Sequence, residues 1–452
     1  MFKKILFSAA ILLIFFVCNA QGEVIHSSWI GGEWGSWSES TNWNPPIAPF
    51  NSASQYFFVT IDSTTIGAEK IEINLDCAPC IPPGPGNIDV NQIDCYGKVE
   101  LTGPVSELTL VDTNGLRNHG CLEIWNDLNI RGNVVNTEGS YLEGNFDLVE
   151  FDLINQTGAM FCIGTHSVDI DGGHLYNHGN ILCVSGGVLS GNFELHNFGK
   201  IQMYGGTLAP HRFLINYITG VIKGTGMVHS PQSFENAGFI QSFGGGLILH
   251  NMQSDFADET NNNLGFTNTG ILSNSPGTTL TIVVLVPDIN NQGTIEVNSD
   301  GSVVCDCNNL NNEPNAIIRL LGGTLAGKKI TQKSGATLQG FGGITGDVII
   351  DNDGLIKLTG PTNIVGDVEI KNDATLQVSD GLTLITGQTT CNGTIYMKGG
   401  YLIPQGGLSG NCNVIWEPGL YTNVADFNLD GQVNLKDFAY FADTWLWQTA
   451  WR

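Results

Sequence analysis

Asp426, Asn428, Asp430, Asn434 and Asp437 place oxygen donors through one short stretch, "DFNLDGQVNLKDF". A loop that wraps a calcium ion takes ligands from positions 1, 3, 5, 7, 9 and 12, with glycine at 6 for the sharp turn. Asp426, Asn428 and Asp430 fill the first three slots, Gly431 makes the turn, and Gln432 offers its backbone carbonyl at the seventh. Asn434 and Asp437 fill the last two, and Val433 is the apolar anchor of the loop. Hard oxygen donors with several carboxylates suit Ca²⁺, which is the one cofactor expected. A second group of acids lies upstream in "VEFD" and "VDID", one repeat apart. If Val149 and Phe151 face inward, and Val168 and Ile170 do likewise, then Glu150, Asp152, Asp169 and Asp171 stack on the outside, with Asp127 and Glu194 extending the row. Such a square could hold a second Ca²⁺, supply an acid–base pair for glycoside hydrolysis, or be a solvated acidic face. No residue is assigned a catalytic role.

These groups need a scaffold, and the composition describes it. The chain has 452 residues and a formal charge of −25 from 18 basic and 43 acidic residues. No basic tract stands out, which argues against nucleic acid as a partner. Charged residues make up only 13% and glycine numbers 58, a balance that suits a turn-rich all-β chain.

The middle of the chain repeats roughly every twenty residues. Copies read "NHGCLEI" at Asn118, "NQTGAMFC" at Asn155, "NHGNILC" at Asn177, "NFGKIQM" at Asn197, "NYITGVI" at Asn216, "NAGFIQS" at Asn236, "NTGILS" at Asn268 and "NQGTIEV" at Asn291. Later ones begin at Asn352, Asn372 and Asn392. Apolar residues alternate in short runs between Gly and Asn corners, as in Val348 and Ile350, then Ile356 and Leu358. One such coil cannot bury its own side chains, but stacked coils close a continuous core. The fold class expected is all-β, a parallel β-solenoid (β-helix) of about 15 coils over 76–415, with a short calcium loop–helix module after it. The recurring asparagines should stack coil above coil and hydrogen-bond along the ladder.

The first 20 residues read as a secretory signal peptide: Lys3 and Lys4, an apolar run, then small residues up to Ala20. No later apolar run is long enough to span a bilayer, so the mature chain is expected to be secreted or on the cell surface. Residues 21–75 hold Trp29, Trp34, Trp37 and Trp43 beside Pro45, Pro46 and Pro49. They suit a cap on the first coil, where an open strand edge would otherwise recruit other chains. Exposed indoles for stacking on sugar are the alternative.

Ten of the 11 cysteines lie beyond the signal segment. An even number in an exported chain favours disulfides. Cys162 and Cys183 each follow a corner glycine by four, and Cys391 and Cys412 are about one coil apart; either pair could bridge coils or remain buried thiols. His166, His174, His178 and His196 are read as polar turn residues.

Three stretches carry resemblances. "LQGFGGITGDVIIDNDGLIKL" resembles the β-helical passenger regions of bacterial autotransporters and related surface proteins, and "SSWIGGEWGSWSESTNWNPP" resembles the segment that opens many secreted bacterial β-helix proteins. "DFNLDGQVNLKDFAYFADTWL" resembles one repeat of a type I dockerin, a calcium loop followed by a single helix. That likeness implies a module at 421–452 in which Leu435, Phe438, Ala439, Ala442 and Trp445 form one helical face. It also implies a cohesin-like protein as partner, although a dockerin carries two such repeats and one is present. A calcium-stiffened cap or sorting tail is the equal alternative.

Two functions follow. The first is an exported structural or adhesive rod, not an enzyme, attached through the calcium module to a protein, cell-surface or polysaccharide partner. The second is a carbohydrate-active or polysaccharide-binding β-helix protein, by class a polysaccharide lyase or glycoside hydrolase. The sequence has neither an arginine-rich lyase pattern nor the Asp-Asp and Gly-His-Gly set of polygalacturonase-like hydrolases.

Overall fold

The structure, a computed structural model, describes residues 23–52, 55–75, 87–103, 107–113, 115–251, 265–284 and 288–417. The signal segment, two of the ten later cysteines (Cys77 and Cys80) and the calcium module at 421–452 lie outside these residues. The chain divides into an N-terminal unit, Met1–Ile289 with Val303–Cys307, and a C-terminal unit, Asn290–Ser302 with Asn308–Arg452. Each is a parallel β-solenoid whose coils run through three short strands, one on each face.

One step of the N-terminal unit shows the plan. Leu153–Asn155, Met160–Ile163 and Ser167–Asp171 form a coil, and His174–Asn177, Asn180–Val184 and Val188–Gly191 form the next. Each strand pairs in parallel with its counterpart one coil on. Leu153, Leu175, Leu195 and Leu214 fall in one inward column and are fully buried. Alternation then turns Ile154, Tyr176, His196 and Ile215 outward on the same face. Corners are tight enough that some positions admit only glycine: at Gly144, φ is 152° and a Cβ would collide with the Ile124 carbonyl of the preceding coil.

The asparagine ladder is present, and it takes in Asn136 and Asn312, which the sequence repeat passed over. Asn118, Asn136, Asn155, Asn177, Asn197, Asn216, Asn236 and Asn268 end successive first-face strands and are buried. Each of the first seven donates Nδ2–H to the Oδ1 of the next at 2.7–2.8 Å. In the C-terminal unit Asn291 donates to Asn312, and Asn312 to Gln332. Asn352, Asn372 and Asn392 do not join a ladder: they are exposed turn residues, and Ile350, Ile370 and Cys391 hold the strand-ending position. The late copies are out of phase with the early ones, because their asparagine follows the inward residue instead of being it.

At the N-terminal end, Trp29, Trp37 and Trp43 are buried and meet edge to face, with centroids 5.1 and 4.8 Å apart. Their indole N–H groups donate to the carbonyls of Gly32, Pro49 and Trp37. Three of the four indoles are therefore core; Trp34 alone is exposed, at 66%.

Cys391 and Cys412 form the disulfide across adjacent coils, with Cα atoms 4.9 Å apart. Cys162 and Cys183 do not. Cys162 pairs with Leu182, and Cys183 with Ile163, so the two thiols are one residue out of step. The Asn155 corner spans four residues, 156–159, against two, 178–179, at the Asn177 corner, and this difference of two sets the strand after it one residue past the alignment of the cysteines.

Candidate functional site

The outward residues of the N-terminal unit carry the chemistry. All nine histidines lie between His26 and His250. On the first face, Leu175 and Leu195 point inward, so His174 and Tyr176 on one strand, and Glu194 and His196 on the next, point out. The register places His174 beside Glu194 and Tyr176 beside His196. Asp152 precedes the strand one coil back and accepts from both the backbone N–H and the Nδ1 of His174, each at 2.9 Å. His174 Nε2 lies 3.7 Å from Glu194 Oε2, and His196 Nε2 lies 3.5 Å from the same oxygen. His196 Nδ1 is 3.1 Å from the hydroxyl of Tyr217. One ligand atom from each of His174, Glu194 and His196 falls within 4.8 Å of the others.

An aromatic column supports this group. Tyr176 stacks on His196 with centroids 5.0 Å apart, and beside them His178, Phe198 and Tyr217 stack at 4.7 and 4.0 Å. Burial among these rings holds the His196 pKa below the usual imidazole value, against the pull of Glu194. Burial, followed by the charges of Asp152 and Glu194, raises the Tyr176 phenol. The histidines at 174 and 196 are strand residues and not turn residues, which corrects the reading of them from sequence.

The expected carboxylate square is not assembled. The strand register sets Asp147, not Glu150, opposite Asp169, and Val149 opposite Asp171. Phe146 and Leu148 are the inward residues, so Val149 faces out. Glu150 sits at a corner with φ 65°, its side chain 75% exposed and 3.9 Å from Arg131. Asp152 lies beyond that corner, on the first face with His174. What the third face does collect is Asp127, Asp147, Asp169 and Asp171. Burial raises the pKa of Asp147 and Asp169; after burial, Asp169 and Asp127 act on the first and Asp171 on the second.

Further along the same face, His229 and His250 pair across coils, with Nδ1 atoms 2.7 Å apart. Burial, and for His229 the neighbouring His250 and His211, lowers their pKa. In the C-terminal unit the outer residues form simpler pairs. Lys371 donates to Asp351 at 2.7 Å and Arg319 to Glu296 at 2.9 Å. An open depression of about 570 Å³ beside Lys333, Asp351 and Lys371 is the sort of shallow surface such pairs leave.

The expected calcium ligands Asp426, Asn428, Asp430, Gln432, Asn434 and Asp437 lie outside the described residues. The His174 group went unseen in the sequence, although its signal was there: His174 to Glu194 and Tyr176 to His196 are both separated by one coil period. No family model, curated protein or solved structure matches the chain. Function therefore has to be argued from its own residues.

Proposed function

We propose that this is an exported structural or adhesive β-solenoid, anchored at its destination by a calcium-folded, dockerin-like segment at 421–452. The observation that carries the reading is the complete oxygen set from Asp426 to Asp437 following a solenoid of stacked short strands. A stacked core of this kind gives length and rigidity from short repeats, and each coil templates the next. Loop and helix are short and would gain their order from the ion, because carboxylates brought together without a cation repel. Calcium calorimetry on the full chain is the test. The wild type is expected to bind an equivalent that Asp426→Ala with Asp430→Ala lacks; identical isotherms would remove the calcium module from the account.

A second reading, a polysaccharide-binding or carbohydrate-active protein, is favoured by the outward Tyr176–His196–Tyr217 column beside Asp152 and Glu194. If the chain released sugars from acidic or neutral polysaccharides, and Glu194→Gln abolished the release, this reading would replace the first.

A further inference from the structure

We infer that His174, Glu194 and His196 form a binding site for a zinc-class divalent metal ion on the first face of the N-terminal unit, with Asp152 and Tyr217 as its positioning residues. The inference is independent of the calcium reading: no residue is shared, and the donor chemistry differs.

The ligand types come first. Imidazole nitrogen with a carboxylate suits Zn²⁺ and its neighbours, whereas Ca²⁺ prefers oxygen alone. Geometry comes next. Metal–ligand bonds of about 2.0–2.2 Å in a tetrahedral site place the ligand atoms roughly 3.3–3.5 Å apart. The two imidazole nitrogens lie 3.7 and 3.5 Å from Glu194 Oε2. The three atoms fall within 4.8 Å of one another, so only the two rings need to draw closer. Three protein ligands leave a fourth position, and the half-exposed His174 leaves it open to solvent for water or an anion.

The surrounding hydrogen bonds are the stronger argument. A carboxylate only accepts, so the bond to Asp152 fixes the proton of neutral His174 on Nδ1. Its Nε2 lone pair then faces the Glu194 carboxylate, an acceptor against an acceptor. His196 also presents Nε2 toward Glu194, with Nδ1 toward the Tyr217 hydroxyl, which donates or accepts and so can take the Nδ1 proton when a metal holds Nε2. A cation among the three atoms satisfies all of them at once. A carboxylate or hydroxyl behind each ligating imidazole is how metal sites orient their histidines and raise their basicity. The stack also gives rigidity: the ligands sit on paired strands whose next inward residues, Leu175 and Leu195, are fully buried.

The test is Zn²⁺ binding by the full chain in excess calcium, followed by calorimetry, with Co²⁺ as a spectroscopic stand-in. The wild type should bind one equivalent more than His174→Ala with His196→Ala, and circular dichroism of the two should match. Glu194→Gln, which keeps shape, is the second variant in case the first misfolds. It should weaken binding and alter the visible bands of the Co²⁺ form, which should lack a thiolate charge-transfer band from this site. Asp152→Asn should preserve the stoichiometry and raise Kd by about 10–100-fold. Equal stoichiometry and Kd across wild type, double variant and Glu194→Gln would overturn the assignment. So would a Co²⁺ spectrum made up only of thiolate bands, since the metal would then sit on cysteines.

Discussion

In the N-terminal unit the residue that ends each first-face strand is asparagine from Asn118 to Asn268. In the C-terminal unit the same position begins as Asn291 and Asn312, passes through Gln332, and continues as Ile350, Ile370 and Cys391. Two chemistries thus fill one place in one fold. An amide is well placed there only between other amides, since each Nδ2–H needs the next Oδ1, and a lone buried amide carries the full cost of desolvation. An aliphatic side chain makes no such demand on its neighbours. Where the series changes, the mismatch is visible: Gln332 Nε2 is buried with no hydrogen-bond partner, and the next residue in its column is Ile350.

The comparison can be broken by exchange. Asn197→Leu strands the Asn177 donor and the Asn216 acceptor together. At about 1–3 kcal/mol for each unsatisfied group, the local loss should be about 2–6 kcal/mol. Ile370→Asn puts a single amide between Ile350 and Cys391, neither of which can pair with it through an amide, and should cost somewhat less, about 2–4 kcal/mol. Hydrogen exchange at the amides of each coil is the measurement, because a repeat protein need not unfold in one step. If Asn197→Leu left protection unchanged, the ladder would not be what holds the N-terminal coils.

Covalent cross-linking sharpens the same contrast. Cys391 and Cys412 close a loop of 21 residues, while Cys162 and Cys183 stand one residue out of step and stay reduced. Burial pushes the Cys183 thiol up to about 12, so it is a poor nucleophile as well as misplaced. Reduction should therefore loosen the last coils of the C-terminal unit by about 3 kcal/mol and leave the coils of Cys162 and Cys183 untouched. Proteolysis mapped before and after reduction checks both halves of that statement.

The smallest effect expected is on pH dependence, and it belongs to the N-terminal unit. His229 and His250 have depressed values in the folded state, so below 6.5 the unfolded chain takes up protons that the folded chain resists. Stability should fall as pH drops through that value toward the depressed folded ones. Beside burial, His229 feels the charges of His250 and His211. His250→Asn should flatten the slope; an unchanged slope would place the dependence elsewhere.

The period, the strand alternation and the glycine corners made the solenoid legible from sequence, because stacking repeats the same inward pattern in every coil. Phase was not legible. Two extra corner residues, where one would have aligned them, moved Cys162 out of line with Cys183, and a corner at Glu150 separated the four acids expected to stack. The same cause hid the ladder change, since Asn352 looks like Asn118 until the register shows that Ile350 occupies the inward position. The ligands of the His174 group come from two coils and their supports Asp152 and Tyr217 from the two flanking ones, so only the coil spacing of the pairs marks them as neighbours.

Attachment through calcium is the central claim, and retention on the cell envelope tests it most directly. The full chain should be held by envelope material in calcium and released by a chelator, with no sugar released meanwhile. The Asp426→Ala, Asp430→Ala variant should fail to be held under either condition. Equal retention of the variant and the wild type, unaffected by the chelator, would contradict the account.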